Sequence, residues 1–446
     1  MFKRIFRRLA VFLLVIAISI GLWLYFVPPN LLRVGSGYAA KIVCSNVFIA
    51  NRNADEVLAQ DVQAPGHPLL RLMRIAVDRE EKHVTAALLG FIAPSEAVYR
   101  EGMGCAIVPA GMVLTAVNAT KPAVASSTEV LWPEGEKTES DESLVSLLSD
   151  AALIGPGMRA VVIVKDGNVA AEVYGEGFSE DTPLLGWSMT KTVNAAIIGR
   201  LIMANRISVN EKGLFPQWQN DGRADIRIAD LLAMESGLAF NENYGTVADV
   251  TRMLFLEPDM AHFVAGAPLE AVIGSHFSYS SGTSVLLSRI WMDRIGNGVD
   301  ALDYPQRALF DPLGMTSAVM ETDAAGTFVG SSYMYATARD WARFGLFLAH
   351  DGVWQGERLL PEGFVREMHT PNGSSDGRYS KIQTWLPKSE ANLPSDAFVI
   401  SGHDGQTIFV IPSLDLVIVR LGLTPRSQGY DASILASEVV KRVNAD

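Results

Sequence analysis

Ser188-Met189-Thr190-Lys191 puts a hydroxyl and an amine three residues apart at the head of an apolar run, Thr192 to Met203. On a helix, residues at this spacing share one face, about one turn from each other. A serine hydroxyl becomes a nucleophile when a neighbouring base takes its proton. A lysine in an apolar setting can be that base, because burial lowers its pKa. Ser-x-x-Lys alone says little, since a chain of this length should hold roughly one by chance. Its setting at a helix start and its later partners single this copy out. Tyr279-Ser280-Ser281 follows a loop around Ile273-Gly274-Ser275 and precedes a second apolar helical run, Val285 to Ile290. His403-Asp404-Gly405 stands just before a strand that starts at Gln406. Each piece has a plainer reading: Ser188 as a helix cap, Lys191 as a snorkelling side chain, Tyr279 as packing, His403-Asp404-Gly405 as a hairpin turn. Their order and settings together favour chemistry.

The elements that must position these groups read as strands at both ends of a domain around a helical middle. Arg159 to Val164 and Asn168 to Tyr174 are apolar runs about Lys165-Asp166-Gly167, a strong hairpin signal. Ala397 to Ser401, Gln406 to Ile411 and Leu414 to Leu421 read as strands, and Asp431 to Val443 as a closing helix. Thr337 caps a helix carrying Trp341, Phe344 and Leu348. The expected class is α+β: one antiparallel sheet built from both ends of the domain, flanked by helices, with a mainly helical region inserted at roughly 188–370.

Ahead of that domain lie two other regions. Leu9 to Val27 is an uncharged run of 19 residues preceded by Lys3, Arg4, Arg7 and Arg8. At 1.5 Å per residue it reaches roughly 28 Å, enough to cross a bilayer, and Trp23 and Tyr25 fall near its far end. Basic residues before it predict a cytoplasmic N-terminus and an exported remainder. Pro28-Pro29-Asn30 follows in place of a small-residue cleavage site, which favours an uncleaved anchor over a signal peptide. Residues 31–150 form an extension. Leu69 to Val77 and His83 to Leu89 read as strands around a polar turn, 31–115 as mixed strands, and Ala119 to Asp150 as a linker. Cys44 and Cys105 both fall in this exported region, where an even count predicts one disulfide, worth ~4 kcal/mol on the chain-entropy model. The net charge is −12; the +4 before the apolar run leaves −16 on the remainder, which argues against nucleic acid as a partner.

Over residues 151–446 the chain resembles the penicillin-recognising serine hydrolases, on the branch of class C β-lactamases, β-lactamase-like esterases and 6-aminohexanoate-dimer hydrolases. Asp230-Leu231-Leu232 through Ser236-Gly237-Leu238, and Pro312-Leu313-Gly314-Met315, resemble segments between that family's motifs. Gly186-Trp187-Ser188-Met189-Thr190-Lys191-Thr192 and Gly402-His403-Asp404-Gly405-Gln406 look closest to the 6-aminohexanoate-dimer hydrolase group. The resemblance implies a β-lactamase-like fold and acyl transfer, with Ser188 as nucleophile and Lys191 and Tyr279 as its activating pair. It also implies an oxyanion site between the backbone N–H groups of Ser188 and of Gln406 on the edge strand. A phenol serving as base would need its pKa lowered by the nearby ammonium. Ser281, His403, Asp404 and Gly405 are the remaining substrate-side candidates, Gly405 by letting the strand backbone come close. His276, Tyr333 and Tyr335 are candidate pocket walls. Ser281 replaces the family's usual Asn and His403 its usual Lys. An imidazole is mostly neutral near pH 7, so both changes weaken the case for carboxylate-bearing β-lactams.

The expected function is therefore a membrane-anchored periplasmic hydrolase of amides or esters, acting on a small-molecule or short peptide-like substrate. The chemistry needs no metal or other cofactor. On the same fold the alternatives are a β-lactamase, a D-amino-acid peptidase, or an inactive binding protein. A different fold is the other rival: Gly186-Trp187-Ser188 is half of an α/β-hydrolase elbow, with His403 downstream.

Overall fold

A computed structural model describes residues 2–109, 111, 112, 114, 129–296 and 298–445. Two compact units share the chain. One comprises residues 1–99, 105–114 and 243–258; the other comprises 100–104, 115–242 and 259–446.

The first unit opens with helix α1, Phe2–Phe26, which among the described residues is the one helix long and apolar enough to cross a membrane, at a mean hydropathy of 2.6. Pro28 and Pro29 separate it from α2, Asn30–Phe48. This second helix replaces the start of the expected run of strands; its buried Ala39, Ala40, Val43 and Val47 repeat at helical spacing. An antiparallel sheet follows in the order β1 (Met73–Asp78), β2 (His83–Leu88), β3 (Ile92–Arg100) and β4 (Gly104–Val108). The polar turn joining β1 to β2 is set by Asp78, which accepts from the N–H groups of Glu80 and Glu81. Leu69 to Leu72, read as the start of the first strand, belong instead to a 3-10 turn that opens at Pro68. Cys44 on α2 and Cys105 on β4 are joined by a disulfide. Gly37 lets α2 press on the helix Asp249–Leu256, since a Cβ there would meet the Phe255 carbonyl oxygen at 2.7 Å.

The second unit holds a five-stranded antiparallel sheet. Its strands are β5 (Met158–Lys165), β6 (Asn168–Tyr174), β7 (Phe398–Gly402), β8 (Gln406–Ile411) and β9 (Leu416–Gly422), in the order β7-β8-β9-β5-β6. Strands from the two ends of the domain meet where β9 pairs with β5, Leu416 opposite Lys165. Asp166 and Gly167 turn β5 into β6 with φ of +52° and +77°, the left-handed pair that a tight hairpin requires. The sheet is buried on both faces, in line with the alternation of side chains along each strand. Val161, Ile163, Phe409, Ile411 and Ile418 pack with Leu435 and Val439 of the last helix, Ala432–Val443. On the opposite face Ile408 and Val417 meet Gly345 of the helix Ala338–Ala349, whose start is capped by Thr337 accepting from the Asp340 N–H. An all-antiparallel sheet excludes the doubly wound α/β-hydrolase reading.

Between the sheet strands run helix α3 (Thr190–Met203) and helix α4 (Ser281–Ile295), the latter capped by Ser280 accepting from Thr283. The linker reading of 119–150 partly lies outside the described residues. Its described part contains the helix Glu142–Leu148, started by Asp141 and anchored by the buried Leu144 and Leu148.

Candidate active site

Ser188 sits in a single 3-10 turn, Trp187–Met189, that feeds α3, so it is not the helix cap. Trp187 takes a left-handed φ of +48°, a conformation that costs a bulky residue about 1–3 kcal/mol and is tolerated where surrounding packing over-determines it. That packing includes Tyr333, 6.2 Å away between ring centroids, and the His403 ring at 5.6 Å. Gly186 and Gly402 let two backbones touch behind the turn: a Cβ on Gly402 would fall 2.2 Å from the Gly186 carbonyl oxygen. Ser188 itself is partly exposed, as a nucleophile must be.

Lys191, one turn into α3, is buried, and its Nζ has three acceptors around it. Ser188 Oγ is 3.0 Å away, Ser281 Oγ 3.1 Å and the Ser331 carbonyl oxygen 3.0 Å. Burial pushes the amine down to about 8, against an opposing upward pull from the Glu242 carboxylate. The helices that carry these groups are pinned together by Asn194, buried one turn past Lys191. Its amide donates to the Ser284 carbonyl and accepts from Trp291 Nε1 at 2.8 Å and Ser288 Oγ at 3.1 Å. Gly330 packs against that amide with no room for a Cβ, which brings the following Ser331 carbonyl to the amine.

The Tyr279 phenol faces Ser188 and the Trp385 indole, and Lys191 Nζ lies 4.8 Å from its ring centroid. Three of the sequence-derived residues, Ser188, Lys191 and Tyr279, are thus brought together. The lowering that a phenol base would need is not found: burial first, then Glu242, raise its pKa, outweighing Ser188 and Trp385. The resting phenol is neutral, and a phenolate base is disfavoured.

His403-Asp404-Gly405 forms the turn between β7 and β8. Gln406 opens β8, the second strand in; the edge strand is β7. The Gln406 side chain is spent on the turn, donating to the carbonyls of His403 and Asp404 and accepting from the Gly422 N–H at 2.9 Å. His403 lies with its ring edge on Trp187, 44% exposed, and its Nε2 is 3.4 Å from an Asp404 carboxylate oxygen. Burial raises the Asp404 carboxyl, partly offset by His403 and Arg159. Gly405 has a different job from the one anticipated: its φ is +84°, and a Cβ would meet the buried Arg420, which donates to the Gly405 carbonyl at 3.0 Å.

The candidate walls fare unevenly. Tyr333 and Tyr335 are each 1% exposed, so they pack the core behind the turn and cannot line an open cleft. His276 is exposed on the loop ahead of Tyr279. Three contributors escaped the sequence reading. Glu242 accepts from the Ser281 hydroxyl at 2.5 Å and from the Ser281 N–H at 2.8 Å. Trp385 reaches Tyr279, its ring 5.1 Å from the phenol ring. Gln383 takes the Thr192 hydroxyl on its carbonyl and the Ser284 hydroxyl on its side chain, fixing the segment that carries Trp385. Only Glu242 left a trace in the sequence, as a lone acid among asparagines.

Comparison with known proteins agrees with this fold. Residues 151–433 match the family model described as Beta-lactamase. The 6-aminohexanoate-dimer hydrolase of Paenarthrobacter ureafaciens is 25% identical over 292 residues, 60% of this chain and 72% of that protein. Among solved structures, a penicillin-binding protein homologue from Caulobacter crescentus superposes with a TM-score of 0.52 at 17% identity, over 66% of this chain and 97% of its own. A family VIII carboxylesterase gives a TM-score of 0.55 at 16% identity, over 68% and 97%. At those identities the solved structures speak for the fold alone. With its α+β fold, antiparallel sheets and Ser-x-x-Lys turn, this chain belongs to the Beta-lactamase family and is a serine hydrolase.

Proposed function

We propose that the chain is a membrane-anchored hydrolase that cleaves an amide or ester through an acyl-Ser188 intermediate. The observation that carries the reading is that Lys191 Nζ stands 3.0 Å from the Ser188 hydroxyl, with the Tyr279 phenol facing that serine. Neutral Lys191 takes the Ser188 proton as Oγ bonds to the substrate carbonyl carbon. The tetrahedral oxyanion is held by the N–H groups of Ser188 and Gln406, where each such donor contributes ~3 kcal/mol. Tyr279, a neutral phenol, hands its proton to the leaving amine or alkoxide and is reprotonated from Lys191. Water then releases the acyl group through the same pair in reverse.

His403 in place of a permanent cation favours substrates without a carboxylate at that point, such as linear amides or short-chain esters, over β-lactams. The 25% identity to a 6-aminohexanoate-dimer hydrolase is in keeping with an amide on a flexible aliphatic chain. Anchoring rests on α1, with Lys3, Arg4, Arg7 and Arg8 ahead of its uncharged stretch, which orients the catalytic unit to the periplasmic side.

Two experiments test this on the full chain in detergent micelles. A fluorophosphonate probe followed by peptide mass spectrometry should place the adduct on Ser188; an unlabelled Ser188 would instead mean a binding protein. A panel of short-chain nitrophenyl esters, linear amides and a cephalosporin should show the first two turned over faster. Faster cephalosporin turnover would overturn the substrate assignment.

A further inference from the structure

The hydrogen bonds from Ser188 through Lys191 and Ser281 form a line whose far end is chemically fixed. That end is the Glu242 carboxylate, which can only accept. Every hydroxyl along the line has a single proton to give. The Ser281 hydroxyl must point its proton at Glu242, 2.5 Å away, so towards Lys191 Nζ at 3.1 Å it can offer only a lone pair. The Ser331 carbonyl, the amine's third neighbour, also only accepts. A neutral amine has two N–H groups and one lone pair. With Ser281 and Ser331 taking the two N–H groups, its lone pair is left one partner, the hydroxyl of Ser188 at 3.0 Å.

We infer that Glu242 is a positioning residue for the acylation step: through Ser281 it fixes the direction of the whole line, so that neutral Lys191 presents its lone pair to Ser188 and nowhere else. This rests on the acyl-enzyme reading above. When the serine proton moves to Lys191, the new ammonium finds acceptors already in place on Ser281 and Ser331, and Glu242 lies behind the first of them. No atom beyond those of the serine, the amine and the substrate is consumed. The ionisable groups facing Lys191 are Glu242 and Tyr279; Tyr379 and Arg426 act on Tyr279 in turn, and Tyr379 also faces Glu242. The Ser281 backbone N–H bond at 2.8 Å holds the carboxylate to the first residue of α4, so its position is built into the helix start.

The test uses the full-length protein, a short-chain nitrophenyl ester and the pH profile of kcat/KM. Glu242→Gln replaces a pure acceptor by a group whose amide can donate to Ser281. The Ser281 proton can then turn to Lys191 and compete for its lone pair. The expected result is a loss of at least about 10-fold in kcat/KM, with the acid limb displaced to lower pH by about one unit, because the ammonium has lost its anionic partner. Glu242→Asp, which keeps the charge, should return the limb toward its wild-type position. Ser281→Ala breaks the line at the next residue and should also move the limb to lower pH, so a misfolded glutamine variant leaves the idea testable. A folded Glu242→Gln or Ser281→Ala protein whose limb stays at the wild-type pH, or moves up, would overturn the assignment. A wild-type protein that shows no acylation would overturn the acyl-enzyme reading instead.

Discussion

Gly402→Ala isolates a single physical variable next to the nucleophile. Gly402 has φ −123° and ψ 169°, extended backbone open to any residue, so alanine brings no conformational penalty of its own. Its Cβ would stand 2.2 Å from the Gly186 carbonyl oxygen. Non-bonded carbon and oxygen approach no closer than about 3.3 Å even in favourable contacts, so one side has to give by about 1 Å. The obstacle is backbone two residues before Ser188, not the end of a mobile side chain. Overpacking of this sort costs about 1–3 kcal/mol. A displacement of about 1 Å at a reacting group lowers a rate by about 100-fold. The assay is the second-order rate constant for fluorophosphonate labelling of Ser188, with the urea midpoint measured on the same protein. We expect a lower midpoint and labelling slowed by about two orders of magnitude. Wild-type labelling, whether or not stability falls, would refute the idea that β7 holds the nucleophile turn in register.

Three further outcomes follow from the geometry. Lys191→Ala should cut Ser188 labelling by about 10²–10⁴-fold, the range for losing a general base, while circular dichroism shows a folded protein. Labelling of the wild type should rise with pH through a midpoint of about 8 and level off above it, because the Lys191 ammonium has no lone pair to offer; a rate independent of pH between 6 and 9, a window in which the neutral amine grows by about two tenfold steps, would contradict it. Arg343→Met should destabilise the second unit by about 3–5 kcal/mol in urea unfolding, since it takes the cationic partner, at 2.8 Å, from the buried Asp340 carboxylate and a donor from each of the Pro133 and Gly135 carbonyls.

Local signals were legible wherever the chemistry is local. The Asp166-Gly167 hairpin, the Thr337 cap and the strand Gln406–Ile411 were readable because turn residues, caps and alternation act over a few positions. Ser188 and Lys191 were legible for the same reason, and Tyr279 through a family pattern. Helix α2 was missed because its small and β-branched residues suit a strand equally well until packing decides. Glu242 and Trp385 obey no spacing rule: each reaches the site through a fold that brings residues 39 and 106 positions apart from Ser281 and Tyr279 together. The choice of base between Lys191 and Tyr279 was left open because the sequence offers the phenol's neighbours but not its depth, and burial outweighs every neighbour.

The helix Asp249–Leu256 is encoded inside the hydrolase sequence yet packs as part of the first unit, with Val250, Met253, Leu254 and Phe255 buried. Anyone trimming the gene to the family-matching stretch would leave that helix without its cover, baring a greasy stripe on an otherwise acidic protein. Such a fragment should be poorly soluble, and swapping those four side chains for polar ones is the first remedy to try.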